Sequence, residues 1–158
     1  MKKTILLLIA LTTSLLASAQ KAETTDLESD KIAVKTLVER FLIAAGNYDV
    51  KAMPEIFCEK ANIGGATFKN GKWTTFTMTI GEYLELLKSV SNPTKYTEPV
   101  SKFTIHIEKG MLAFVKADAI LKVNGKPKNN NFDYFTLIKE DGNWKILNGS
   151  YASVPIEN

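Results

Sequence analysis

Cysteine, histidine and clustered arginine are nearly absent from this 158-residue chain, and each absence closes off a class of chemistry. With Cys58 as its single cysteine the protein has no internal disulfide, so stability must come from packing. The setting of that thiol, Glu55-Ile56-Phe57-Cys58, reads as an apolar helix face, which suits a small buried hydrophobe better than a reactive nucleophile. The single histidine, His106, shares its strand face with only Thr104 and Glu108, and belongs on a polar outer surface. One His, one Cys and no carboxylate cluster at ligand spacing give no zinc or iron site, and no cofactor is expected. Gly64-Gly65 precedes no helix, so no phosphate-cradling loop exists. The cations are mostly scattered lysines with no basic helix face, which makes nucleic acid an unsuitable partner.

The chain opens MKKTILLLIALTTSLLASAQ, with two lysines, an apolar run from Ile5 to Leu16, and Ala17-Ser18-Ala19 before Gln20. These are the three parts of a secretory signal peptide, and the apolar run is too short for an ordinary membrane span. Residues 1–19 are therefore expected to be removed after Ala19, leaving a periplasmic or secreted protein with no membrane segment. No cysteine follows the run, so a lipoprotein anchor is not expected. The full chain carries 20 Lys+Arg against 17 Asp+Glu; without Lys2 and Lys3 the balance is 18 against 17, close to neutral.

Residues 20–29 form a polar leader without periodicity, expected to be disordered. Ser29 and Asp30 offer an N-cap, after which Ile32, Val34, Leu37, Val38, Phe41, Leu42 and Ala45 recur at helical spacing, predicting a helix over Asp30 to Ala45. Asp49 caps a predicted second helix starting near Val50, striped by Met53, Ile56 and Phe57, with Pro54 confined to its first turn. Asn70-Gly71 joins Ala61–Phe68 to Trp73–Met78 as a hairpin. Thr79 and Glu82 match a capping box ahead of a helix from Ile80 to Val90, which Ser91-Asn92-Pro93 ends. Lys102 to Glu108 alternates strictly, Lys109-Gly110 turns it, and Met111 to Val123 reads as a long strand ended by Asn124-Gly125. Residues 126–131, KPKNNN, are the most polar stretch and are expected to be a mobile loop. Residues 30–158 are read as one α+β domain, helices packed on one face of a mostly antiparallel sheet.

The clearest signal is FDYFTLIKEDGNWKILNGSY, Phe132 to Tyr151, two β-prone runs around a four-residue loop, Glu140-Asp141-Gly142-Asn143. With Asp133 opening the first strand, Trp144 opening the second and Tyr151 closing it, this hairpin resembles the C-terminal hairpin of the nuclear transport factor 2-like superfamily. Within it, the chain looks closest to secreted bacterial members of the SnoaL-like or lumazine-binding kind. The resemblance implies a cone-shaped, cystatin-like sheet wrapped around the first helix, with any site inside the cone. It also implies relatives such as ketosteroid isomerase, scytalone dehydratase, limonene epoxide hydrolase and polyketide cyclases. The isomerase pattern asks for a base on the first strand, where this chain has Gly64 or Gly65, and for a tyrosine where it has Phe41. Only the buried acid is matched, by Asp133.

Asp133 is thus either an interior carboxyl with a raised pKa or a residue that satisfies nearby backbone donors at a strand end. Asp133 and Tyr151 are the candidates for catalysis. Phe41, Tyr48, Phe68, Trp73, Phe76, Tyr83, Phe135 and Tyr151 are the candidates to line a ligand pocket, with Gly64, Gly65, Ala117, Ala119 and Gly149 leaving room. The leading expectation is an exported binding protein for a small apolar molecule. The alternatives are an enzyme of dehydratase, isomerase or cyclase type, and a protein-interaction module with a filled cone. The outer face around Lys116, Asp118 and Lys122 is a candidate homodimer surface, or else a solvated one.

Overall fold

Turns built from a left-handed pair divide most of this chain into strands: Asn70-Gly71, Lys109-Gly110, Asn124-Gly125 and Asp141-Gly142 all have positive φ at both residues. Such pairs match the right-handed twist of the strands they join. The computed structural model describes residues 27–157; the expected signal peptide, its cleavage point and residues 20–26 of the leader lie outside them. In chain order come helix α1 (27–47), strands β1 (Phe57–Lys69) and β2 (Lys72–Thr79), helix α2 (Ile80–Ser89), and strands β3 (Tyr96–Thr97), β4 (Val100–Glu108), β5 (Leu112–Val123), β6 (Lys126–Glu140) and β7 (Asn143–Pro155).

The strands make one sheet in the order β2-β1-β7-β6-β5, with β3 and β4 sharing the far edge of β5. The β1–β7 pairing is parallel and the others are antiparallel. Register shifts interrupt β1 after Phe57, β4 after Val100, β5 after Leu121 and β6 after Thr136. Such irregularities bend strands, and the sheet curves around α1 without closing. The cone expected from the family resemblance is the observed architecture.

Val34, Leu37, Val38, Phe41, Leu42 and Ala45 of α1 are buried against Ala113, Val115, Phe135, Leu137 and Ile146 of the sheet. Ile32, read as part of that stripe, is 67 % exposed. It precedes Val34 by two positions, about 200° around a helix, and so faces away from the core. The α2 capping box forms as expected: Thr79 Oγ1 accepts from Glu82 N–H at 3.2 Å, and Thr79 N–H donates to the Glu82 carboxylate at 2.7 Å.

Five sequence expectations are corrected. Residues 27–29 are already helical, so Asp30 lies inside α1 instead of capping it. Its carboxylate is engaged elsewhere, accepting from Lys139 Nζ at 2.6 Å and Trp144 Nε1 at 2.8 Å. The second helix does not form. Residues 50–56 are a run of turns, with Ile56 N–H on Met53 C=O at 2.9 Å. Pro54 has no N–H to continue a helix, and Phe57 and Cys58 already belong to β1, where Phe57 pairs with Ile146. Cys58 is buried, as expected, but in a strand, where burial and the nearby Glu140 push its thiol pKa up. The KPKNNN segment is not a loop: it is the start of β6, paired with β5 from Lys126 and with β7 from Asn129. Two of its asparagines find partners for their amide nitrogens, Asn129 Nδ2 donating to Ser153 Oγ at 2.7 Å and Asn131 Nδ2 to Glu98 Oε1. The final hairpin loop is also tighter than expected, Glu140 pairing directly with Asn143.

Candidate functional site

Strand alternation decides which side chains reach the inside of the cone. On β6 the inward set is Asn131, Asp133, Phe135 and Leu137, all buried, while Phe132 and Tyr134 are exposed on the outer face. On β1, Ile63 and Thr67 face inward, and on β7 so do Gly149, Tyr151 and Ser153. All of these inward residues but Leu137, together with Phe41, Leu42 and Ala45 of α1, Phe76 of β2, Tyr83 of α2 and Tyr96 of β3, enclose a cavity of about 320 Å³. Leu121 and Glu98 complete its wall at the β3 end of the sheet.

Two glycines make this geometry possible. A Cβ on Gly46 would stand 2.3 Å from the Tyr96 carbonyl oxygen, so the end of α1 approaches β3 this closely only without a side chain. A Cβ on Gly65 would lie 2.8 Å from both the Phe76 and Tyr151 rings, which stack at 5.8 Å across that position. The place where the isomerase pattern asks for a base is filled here by two aromatic rings.

The polar groups of the cavity are acids, an amide and hydroxyls. Asp133 is 4 % exposed, and its Oδ2 is buried with no hydrogen bond. Burial first, then the Glu98 and Asp118 charges, push its carboxyl up to about 8. Glu98 is raised as well, again by burial, with the Asn131 hydrogen bond pulling the other way. Asn131 Nδ2 donates to Glu98 Oε1, while Asn131 Oδ1 is buried with no partner. Tyr83, Tyr96 and Tyr151 are all raised by burial, so their hydroxyls stay protonated at any physiological pH. Among the described residues, no metal-holding cluster of three or more His, Cys, Asp or Glu side chains exists.

The sequence profile of the family described as "Putative lumazine-binding" matches residues 29–152. The chain belongs to this lumazine-binding family. Solved structures of low sequence identity share its fold. A nuclear transport factor 2-like protein with a cystatin-like fold from Novosphingobium aromaticivorans is 15 % identical, covers 83 % of this chain and 86 % of its own, and has a TM-score of 0.65. One from Cytophaga hutchinsonii is 18 % identical over 78 % of this chain and 97 % of its own, at a TM-score of 0.59. A protein of unknown function from Mycobacterium tuberculosis is 12 % identical over 82 % and 75 %, at 0.66. These likenesses establish the fold. No curated protein matches the sequence.

In this member of the lumazine-binding family, Phe41, Phe76, Tyr83, Asp133, Phe135 and Tyr151 share the cavity wall. Three other candidates do not reach it. Phe68 and Trp73 stack on each other at 5.3 Å near the tip of the β1–β2 hairpin. Their neighbours Thr67 and Phe76 lie on the inward alternation and they do not, leaving Trp73 53 % exposed. Tyr48 sits behind the cavity in the left-handed turn that ends α1, edge-on to Tyr96 at 6.4 Å. Glu98, Asn131 and Tyr96 escaped the sequence reading. The available signal was the alternation Tyr96, Glu98, Val100 just after α2, which sets the three on one side of an extended chain.

Lys122 also departs from expectation. Beyond the register shift in β5 it lines a second cleft of about 400 Å³ with Glu39, Asn47, Tyr96 and Glu98, apart from Lys116 and Asp118. The latter two pair at 2.7 Å beside the exposed rings of Phe114, Phe132 and Tyr134 on the outer face. His106 is exposed there too, opposite Phe114.

Proposed function

We propose that this protein is an exported binding protein that holds one small, largely apolar molecule in the cone. The observation that carries the reading is the cavity itself: about 320 Å³, walled by aromatic and aliphatic side chains with a few polar groups converging from β6 and β7. That size and lining are those of small-molecule sites. The lumazine-binding label of the family agrees with a heterocycle-sized ligand. Native mass spectrometry of the protein expressed from its full sequence in its host and purified from the envelope tests it. A compound retained at one per chain is the expected result, and a clean apo mass counts against it. The same sample checks export, since its N-terminus should be Gln20.

A second reading, an isomerase or dehydratase-type enzyme, is favoured by the convergence of Asp133, Glu98 and Tyr151 in one cavity, since two acids of raised pKa can divide acid and base roles. On the outer face, a homodimer would cover Phe114, Phe132 and Tyr134, which are 47, 37 and 50 % exposed on adjacent strands. Sedimentation velocity of the wild type and of Tyr134→Glu tests that assembly. Loss of a dimer in the variant is expected, and a monomeric wild type rejects it.

A further inference from the structure

The unmet groups of the cavity are all acceptors or acids. Asp133 Oδ2 and Asn131 Oδ1 are buried without a hydrogen bond, in residues 4 % and 5 % exposed. Asn131 has committed its amide nitrogen to Glu98, so it turns only an oxygen to further partners. Among the described residues no lysine, arginine or histidine lines the cavity. Among the described residues no ion pair includes Asp133 or Glu98. A buried carboxyl without a counter-charge is costly when ionised and keeps its proton instead, so Asp133, with the half-buried Glu98 beside it, is poised to ionise when a cation arrives. The rings around them add a second attraction, because the faces of Phe and Tyr draw cations.

We infer that the ligand of this cavity is a protonated organic amine, its ammonium held by Asp133, Glu98 and Asn131 Oδ1 and its apolar body lodged among Phe41, Phe76 and Tyr151. An ammonium brings donors for the two orphan oxygens together with the positive charge that the wall lacks. An anion would meet two acids with no cation to receive it. A neutral apolar molecule would leave the orphan oxygens unmet. The inference rests on the binding reading above and sharpens its ligand class.

The charged and titratable groups around Asp133 are Glu98 between β3 and β4, Asp118 on β5, Tyr83 on α2, Tyr96 on β3 and Tyr151 on β7, with Lys122 beside Glu98 in the adjoining cleft. Both acids bind a cation best when ionised. Amine affinity therefore rises with pH from 6 to 8.5, below the range where an alkylammonium itself loses its proton, about 10.4.

The test is calorimetric titration of the processed chain, residues 20–158, with three probes of matched shape: phenethylamine, 2-phenylethanol and 3-phenylpropanoate. At pH 8 the amine should bind about tenfold or more tighter than the alcohol, with the carboxylate weakest. Amine affinity should rise with pH while that of the alcohol does not. Asp133→Asn and Glu98→Gln should each bring the amine down toward the alcohol without lowering the melting temperature. Alcohol binding as tight as the amine, or amine binding unaltered by both substitutions, overturns the inference and leaves the apolar-pocket reading standing. Binding of none of the three overturns both.

Discussion

Asp30 and Asp133 are both buried, and the protein treats them in opposite ways. Asp30, 8 % exposed, sits where α1 meets the β6–β7 hairpin and receives Lys139 at 2.6 Å and Trp144 at 2.8 Å. Burial alone would raise its pKa; the two hydrogen bonds and the Lys139 charge outweigh it and hold the carboxyl below its ordinary value. Asp133, 4 % exposed, has an orphan oxygen, two acidic neighbours and no cation, and is raised. Lys139 stands six residues further along β6 than Asp133, roughly 20 Å along a strand. The cone therefore has a finished end, where every buried charge is answered from within the chain, and an unfinished one. The finished end holds the fold, and the unfinished end is where the proposed ligand would bind.

The largest effect should come from the finished end. Leu137 and Ile146 are fully buried, and truncating either to alanine should cost roughly 2–5 kcal/mol in urea unfolding. Equivalent truncation of the cavity-lining Leu121, only partly buried, should cost less. Equal losses would erase the distinction between the two ends.

Asp30→Asn comes next. It leaves the Lys139 ammonium, 23 % exposed, without its carboxylate, and should cost roughly 2–4 kcal/mol. Because the folded pKa of Asp30 is depressed, its stabilisation is present above the unfolded value of 3.8 and is lost as pH falls through the lower folded value. The variant should lack that acid-range loss in thermal melts.

Asp133→Asn should act in the other direction. The native state holds a proton that the unfolded chain releases near 3.8, so wild-type stability falls as pH rises from there toward about 8. The neutral amide removes that slope. It should melt above the wild type at pH 8, by roughly 1–3 kcal/mol, and close to it at pH 5. Parallel pH profiles for the two proteins would contradict the raised carboxyl.

Gly65→Ala should have a modest effect on folding and a large one on the cavity. The new methyl must displace the Phe76 or Tyr151 ring, at roughly 1–3 kcal/mol, and the displaced ring should enter the cavity and abolish probe binding. Undiminished phenethylamine binding would show that this wall is not part of the site.

The frame of the molecule was legible because local chemistry dictates it. Asn-Gly and Asp-Gly pairs marked the turns, Thr79 and Glu82 marked the start of α2, and the stripe from Val34 to Ala45 marked the buried face of α1. The second helix was misread because Met53, Ile56 and Phe57 fit a helical stripe, although Phe57 is claimed by a pairing with Ile146 almost ninety residues later. Asp133 and the rings on inward positions were found by alternation and the family resemblance. Glu98 was not, because between Thr97 and Pro99 it looks like a surface loop residue. Only the seating of β3 on the far end of β5 brings it to Asn131. KPKNNN misled for the same reason, its polarity being answered by residues distant in sequence.

The most direct test is a carbon-13 NMR titration of the aspartate side-chain carboxyls in the ligand-free protein, assigned with Asp30→Asn and Asp133→Asn. Asp30 should titrate below the ordinary carboxylate range and Asp133 well above it, with the Asp133 midpoint falling when phenethylamine is bound. Two aspartates titrating together near 4, with no response to the amine, would contradict the division of the cone into an answered and an unanswered end.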